Sequence, residues 1–203
     1  MSEADREKWN LRYAGGGCAP AGPPNALLME WLPRIVATST PPRAVDVACG
    51  LGRHALFLAR HGWEVDAIDI SEVALERLAA AAAGEDLPIN CIRRDLEPEG
   101  ASVDSPFGPD RYDLAVMMRY TNLPLIGLLS SALKPGGYLI TEAYLKTGEV
   151  DAGPRNPGYR VSPGAFRGAA TGLEIVDYRE GMVTDRDGRP AALAQLVARC
   201  RCI

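Results

Sequence analysis

The sequence predicts an α/β fold: a doubly wound, mostly parallel sheet with helices on both faces. Three observations carry that expectation. Strand-like and helix-like stretches alternate from residue 43 to residue 145, which is the mark of parallel strands joined by crossover helices. The stretch Val45 to His54 reads as a buried strand turning sharply through Gly50 and Gly52 into a helix that starts near Arg53. Finally, two strand patterns at 173–180 and 191–200 flank Thr184-Asp185-Arg186-Asp187-Gly188, a hairpin-turn sequence.

Length and composition bound what such a fold can be. With 203 residues and 47% hydrophobic content, the chain suits a single domain over 1–203. A formal net charge of -4 and a pI near 5.3 give no broad electrostatic footprint for nucleic acid. Five cysteines without paired zinc spacing, and no apolar signal segment, point to a reducing cytoplasm. No run approaches the roughly 18 to 20 apolar residues that span a bilayer.

The elements follow in order. Asp5 to Tyr13 forms a short helix carrying Trp9, Leu11, Arg12 and Tyr13, and a Gly/Pro-punctuated segment runs to Pro24. Asn25 is placed to cap a second helix with Leu27, Leu28, Trp31, Leu32 and Ile35 at helical spacing; Pro33 kinks or shortens it and Thr38 to Pro42 stop it. Residues 5–40 thus make an N-terminal helical cap. After the glycine turn, a helix through Ala59 ends at His61-Gly62, Glu64 to Ile70 is a strand, and Ser71 caps a helix from Glu72 to Ala83. Ile89 to Arg93 is the third strand. Leu96 to Asp110, rich in Pro, Gly, Asp and Glu, reads as an exposed insertion. Tyr112 to Met118 is a strand, Leu123 to Leu133 a helix, and Lys134-Pro135-Gly136-Gly137 turns the chain into a strand at 138–145. The Gly/Pro-rich 146–162 segment is long for a compact domain, and is the candidate lid. Ser162-Pro163 fits the start of a short helix running through Ala170.

The glycine turn carries the chemistry. Gly50-Leu51-Gly52-Arg53-His54-Ala55 fits the spacing G-x-G-x-x-A, and Asp69 ends the next strand where a ribose diol could be held, so an NAD(P)-dependent oxidoreductase is one reading. Asp46, inside an apolar strand, is not demanded by a pyrophosphate. A ligand with cationic groups explains it better.

The ordered motifs resemble those of class I S-adenosylmethionine-dependent methyltransferases. Asp46-Val47-Ala48-Cys49-Gly50-Leu51-Gly52 is similar to the family's first motif and Ala67-Ile68-Asp69-Ile70-Ser71 to its acidic second. Arg94-Asp95-Leu96, Tyr112-Asp113-Leu114 and Leu133-Lys134-Pro135-Gly136-Gly137 are similar to later ones. Within the class, Lys8-Trp9-Asn10-Leu11-Arg12-Tyr13 and Asn156-Pro157-Gly158-Tyr159 resemble small tellurite-resistance-type members. The resemblance implies a seven-stranded sheet whose last strand is antiparallel, and S-adenosyl-L-methionine as cofactor. It implies roles as well. Asp69 accepts from the ribose hydroxyls, Asp95 from the adenine amino group, and Ile70 and Leu96 flank the ring. Asp46 and the Gly50 carbonyl face the methionine ammonium, while Trp9 and Tyr13 close over the cofactor. His54, in the first helical turn, either meets a carboxylate or is a solvated histidine. Arg119 and Tyr120, just past the fourth strand, lie at the edge where open sheets bind substrates. Cys200 and Cys202 fit core packing, since two thiols do not make a zinc site, and no metal is expected.

The function this reading implies is methyl transfer to a small nucleophile by in-line displacement, with no catalytic residue named. The acceptor atom and the oligomeric state stay open. A non-catalytic S-adenosylmethionine-binding protein is the other alternative to an oxidoreductase.

Overall fold

A computed structural model describes residues 3–15, 22–97, 107–147, 153–185 and 188–201. The helices are α1 (Glu3–Ala14), α2 (Ala26–Trp31), α3 (Arg53–Arg60), α4 (Glu72–Gly84), α5 (Pro124–Ala132) and α6 (Ala165–Ala169). The strands are β1 (Arg43–Val47), β2 (Glu64–Asp69), β3 (Ile89–Arg93), β4 (Tyr112–Met118), β5 (Leu133–Leu145), β6 (Arg160–Val161), β7 (Leu173–Thr184) and β8 (Pro190–Cys200). Seven of them form one sheet in the order β3-β2-β1-β4-β5-β8-β7, and β6 pairs with β5 beside this path. Strands β1 to β5 run parallel; β8 is antiparallel to both β5 and β7. Residues 16–21, 98–106, 148–152, 186–187 and 202–203 lie outside the description, and with them parts of the Gly/Pro segment, the insertion, the lid segment and the hairpin turn, and Cys202.

Both sheet faces are covered, which is why β4 is buried at every position and reads as an unbroken apolar run. One core joins Val45, Val47, Ile68, Met117 and Leu139 to α5 and α6. The other joins Ala44, Ala67, Val116, Ile140 and Val197 to α2, α3 and α4.

Local signals set most boundaries. The Asn25 side chain accepts from the Leu27 N–H at 2.8 Å, and Ser71 Oγ accepts from the Ala74 N–H at 3.2 Å, capping α2 and α4 as their sequences require. After Trp31 the chain tightens into a single turn at Leu32–Arg34, with Pro33 in its first positions. Elsewhere the structure corrects the sequence reading. Helix α6 begins later than Ser162-Pro163 suggests: Gly164, at φ 77°, is its cap, and Ser162 contributes only its carbonyl, to the Ala165 N–H at 3.1 Å. Strand β5 begins at Leu133, because Leu133 pairs with Tyr112 before the register shifts and Tyr138 pairs with Leu114. The Leu96 to Asp110 stretch is anchored at both ends, with Leu96 and Phe107 buried in the core.

At the amino-terminal edge of the strands, Asp113 gathers the loop before β1. Its carboxylate accepts from the Thr38 N–H and Oγ1, both at 2.7 Å, from Ser39 Oγ at 2.6 Å, and from the Arg43 N–H and Lys134 Nζ, both at 3.0 Å. Although burial alone would raise it, these donors hold the Asp113 carboxyl well below the usual carboxylate range. Asp66 makes a second such knot, accepting from Tyr112 Oη at 2.7 Å and Asn90 Nδ2 at 2.8 Å and pairing with Arg111 at 2.7 Å.

Candidate active site

The turn after β1 forms because three of its residues take positive φ: Ala48 at 55°, Gly50 at 54° and Gly52 at 73°. It is fastened to β2 by the Cys49 N–H to the Ile68 carbonyl (3.0 Å) and by the Gly50 N–H to Asp69 Oδ2 (2.8 Å). The other Asp69 oxygen accepts from the Ser71 N–H at 2.9 Å. One carboxylate therefore ties the glycine turn to the start of α4. Burial pushes the Asp69 carboxyl up, against these backbone donors.

Asp46 lies below the same turn, 1% exposed, and accepts from the Ala55 N–H of α3 at 3.1 Å. His54 Nδ1 is 3.9 Å away. Burial pushes Asp46 up to about 7. His54 is itself buried, so the solvated alternative for it is set aside.

Helix α1 folds back over this turn. It has no buried residue of its own and is held by polar contacts to α4: the Arg6–Glu72 ion pair, Ser71 Oγ donating to Asn10 Oδ1 at 2.7 Å, and Arg77 donating to the Tyr13 carbonyl at 2.5 Å. A Cβ on Gly50 would stand 2.7 Å from the Tyr13 hydroxyl. Tyr13 thus lies on the glycine turn, stacked on Trp9 with centroids 5.9 Å apart. From the candidate lid, Tyr159 meets α1 through Lys8, whose Nζ is 5.1 Å from its ring centroid and 2.5 Å from its hydroxyl. Thr121, past β4, donates to the Gly158 carbonyl at 2.9 Å.

On the β3 side, Ile70 and Leu96 are buried, and Asp95 accepts from the Glu97 N–H at 2.8 Å. The Leu96 carbonyl accepts from Asn122 at 3.1 Å. Tyr120 donates to Glu97 at 2.6 Å, and burial together with Glu97 pushes its phenol upward.

Arg119 belongs to a cluster that the sequence reading did not foresee. It is a non-glycine residue at φ 62°, fixed by its N–H to the Glu142 carbonyl. Its guanidinium stacks on Tyr144 at 4.2 Å, and Nη2 reaches Glu142 at 2.8 Å and Asp185 at 2.9 Å. Glu142 is 2% exposed and also accepts from Asn25 Nδ2 at 2.7 Å and Gln195 Nε2 at 2.6 Å. Among the described residues, Arg119 Nη1 is buried without a hydrogen-bond acceptor, an omission that costs about 1–3 kcal/mol. The available signal for Glu142 was an acid between Thr141 and Ala143 in an apolar strand, the same signal that singled out Asp46.

A parallel sheet closed by an antiparallel strand, with a glycine turn between β1 and α3 and an acid ending β2, has the architecture of the class I S-adenosylmethionine-dependent methyltransferases. Residues 44–137 match the methyltransferase domain family, and the fold and the cofactor, S-adenosylmethionine, are those of this class. Among curated relatives, it is 26% identical over 164 residues to hemagglutinin 1 of Eikenella corrodens, covering 78% of this chain and 54% of that one. It is 32% identical over 101 residues to ribosomal RNA small subunit methyltransferase C of Alcanivorax borkumensis (49% and 31%). It is 29% identical over 130 residues to a ubiquinone biosynthesis O-methyltransferase of Alkalilimnicola ehrlichii (62% and 51%). The chain therefore spans about half, or less, of the length of these relatives. TehB from Haemophilus influenzae shares the fold at TM-score 0.70 and 20% identity, over 97% of this chain and 67% of that one. Among the described residues, no helix is long and apolar enough to cross a membrane.

Proposed function

We propose that this chain transfers the sulfonium methyl of S-adenosylmethionine to a small-molecule nucleophile by in-line displacement, in the cytoplasm. The observation that carries the reading is Asp69 fastened to the Gly50 N–H beneath Tyr13, a carboxylate fixed beside a turn that lacks side chains on its ligand face. When bound, the cofactor supplies a methyl group on a cationic sulfur. The chain's own residues would hold and orient it. Asp69 takes the ribose hydroxyls, and Asp95, Ile70 and Leu96 take the adenine. Asp46 and the Gly50 carbonyl lie toward the ammonium, Gly52 lets the backbone approach, and Trp9 and Tyr13 cover the site with His54 beneath. Alignment alone is worth roughly 7–11 kcal/mol, so no acid or base is required. Arg119 and Tyr120 flank the acceptor, and 146–162, resting on α1 through Tyr159 and Lys8, serves as lid. The net charge of -4 and the O-methyltransferase relative support a small acceptor over nucleic acid.

Calorimetric titration tests this. Wild type should bind S-adenosylmethionine but not NAD, and Asp69→Ala should bind it about 10- to 100-fold more weakly, as expected for losing a charged acceptor. Failure of wild type to bind would refute the reading. Cofactor binding without turnover of any acceptor would favour a non-catalytic binder.

Proton release gives a second check. An ammonium placed beside Asp46 lowers its raised pKa and favours the carboxylate, so binding at pH 7 should expel roughly half a proton. Titrations in two buffers of different ionisation enthalpy would show it, and buffer-independent enthalpy would remove Asp46 from that role.

A further inference from the structure

The Arg119 cluster lies level with the glycine turn: Met117 of β4 pairs with Val47 of β1, and Arg119 follows two residues later. It draws on five separate pieces of chain: Asn25 before α2, Arg119 after β4, Glu142 and Tyr144 on β5, Asp185 after β7, and Gln195 on β8. Such convergence fixes the guanidinium in one orientation. Nη2 meets two carboxyl groups and the plane rests on Tyr144, yet Nη1 keeps a buried N–H without an acceptor among the described residues. A donor held this firmly and left unanswered asks for an oxygen from outside the chain. The side chain as a whole is 19% exposed, while Nη1 itself is buried.

Which oxygen is decided by charge. Arg119 already faces Glu142 and Asp185, so a further anion on Nη1 would meet two carboxyl groups for one guanidinium. Arg160 sits 5.7 Å from the same Tyr144 ring and donates to the Pro154 and Leu145 carbonyls.

Resting on the methyltransferase reading for its setting, we propose that Arg119 Nη1 is the anchoring donor of the acceptor subsite and takes a hydroxyl or carbonyl oxygen of an uncharged acceptor, not an anionic one. Glu142 and Asp185 are positioning residues that also reject anions.

The test uses full-length protein saturated with S-adenosylhomocysteine and titrated with acetamide or acetate, following the arginine side-chain ¹⁵N resonances. Arg119→Lys assigns the signal. Acetamide should shift the Arg119 resonance and bind more tightly than acetate. In Asp185→Asn, and in Glu142→Gln if it folds, acetate affinity should rise at least about threefold with acetamide affinity little changed, a reversal that a merely structural role would not produce. Tighter acetate binding in wild type, or no response of Arg119 to either probe, overturns the proposal. Failure of S-adenosylhomocysteine to bind would instead refute the function, and is seen in the first titration; the Arg119 response is then read on the unliganded protein.

Discussion

Asp113→Ala should be the most destabilising of the substitutions considered, lowering the free energy of unfolding by about 3–5 kcal/mol, as removal of one member of a buried ionic network does. The carboxylate is 1% exposed and answers two backbone N–H groups, two hydroxyls and an ammonium. Alanine would leave the Thr38 and Arg43 N–H groups and Lys134 facing a small apolar gap. The loop entering β1 would lose its anchor to β4. The pH dependence follows from the depressed carboxyl. Above about pH 4 both folded and unfolded chains are ionised and the whole contribution is present. As pH falls further the unfolded chain takes up the proton first, so the contribution shrinks. Urea denaturation of wild type and variant at pH 7 and pH 3 should therefore show a gap about 1 kcal/mol narrower at the lower pH. A gap that stays constant would mean that Asp113 matters by packing and not by charge.

Gly52→Val should cost about 3 kcal/mol or more and abolish cofactor binding at the glycine turn. Two effects add. At φ 73° any side chain is strained, a β-branched one most of all, and the new Cβ would fall within 3.0 Å of the Leu78 methyl groups. Leu78 is 1% exposed inside the core of α3 and α4 and has nowhere to retreat. Gly62 provides the control. It too has positive φ, 83°, but nothing lies within 4 Å of where a Cβ would point. Gly52→Ala should thus cost clearly more than Gly62→Ala, whose penalty is backbone strain of about 1–2 kcal/mol alone. Equal losses of stability would show that the Leu78 contact is not what requires glycine.

What the amino-acid order reveals about this fold depends on how local each cause is. Asn25 and Ser71 were legible as caps because a cap bonds within three residues of itself. Strand β4 was legible because burial at every position leaves a nearly continuous apolar run. Gly50, Gly52 and Asp69 were legible as a unit, since the spacing between a glycine turn and the end of the next strand is set by one helix. Glu142 was not. Its partners Asn25, Arg119 and Gln195 lie 117, 23 and 53 positions away in the chain, and only the sheet order brings them together. The same holds for Asp113, whose partners Thr38 and Ser39 were read only as a helix stop. Strand β6 escaped notice because two residues carry no periodicity. Ser162-Pro163 misled because the pair satisfies a helix start that Gly164, one residue later, satisfies in fact.

The position of β8 bears on how the molecule is made. It follows β7 in the chain, yet it lies between β5 and β7, and among the described residues β7 pairs with β8 alone. On the ribosome, residues 43–145 can therefore assemble five parallel strands while the flank of β5 that β8 takes stays open. The core around Leu139 and Ala143 waits for Ala194, Leu196 and Ala198 to arrive. Until they do, a row of unmet amides and carbonyls along β5 is a template for any passing strand. Nascent chains stalled before residue 190 should be more aggregation-prone than chains in which the β7–β8 hairpin has slotted in.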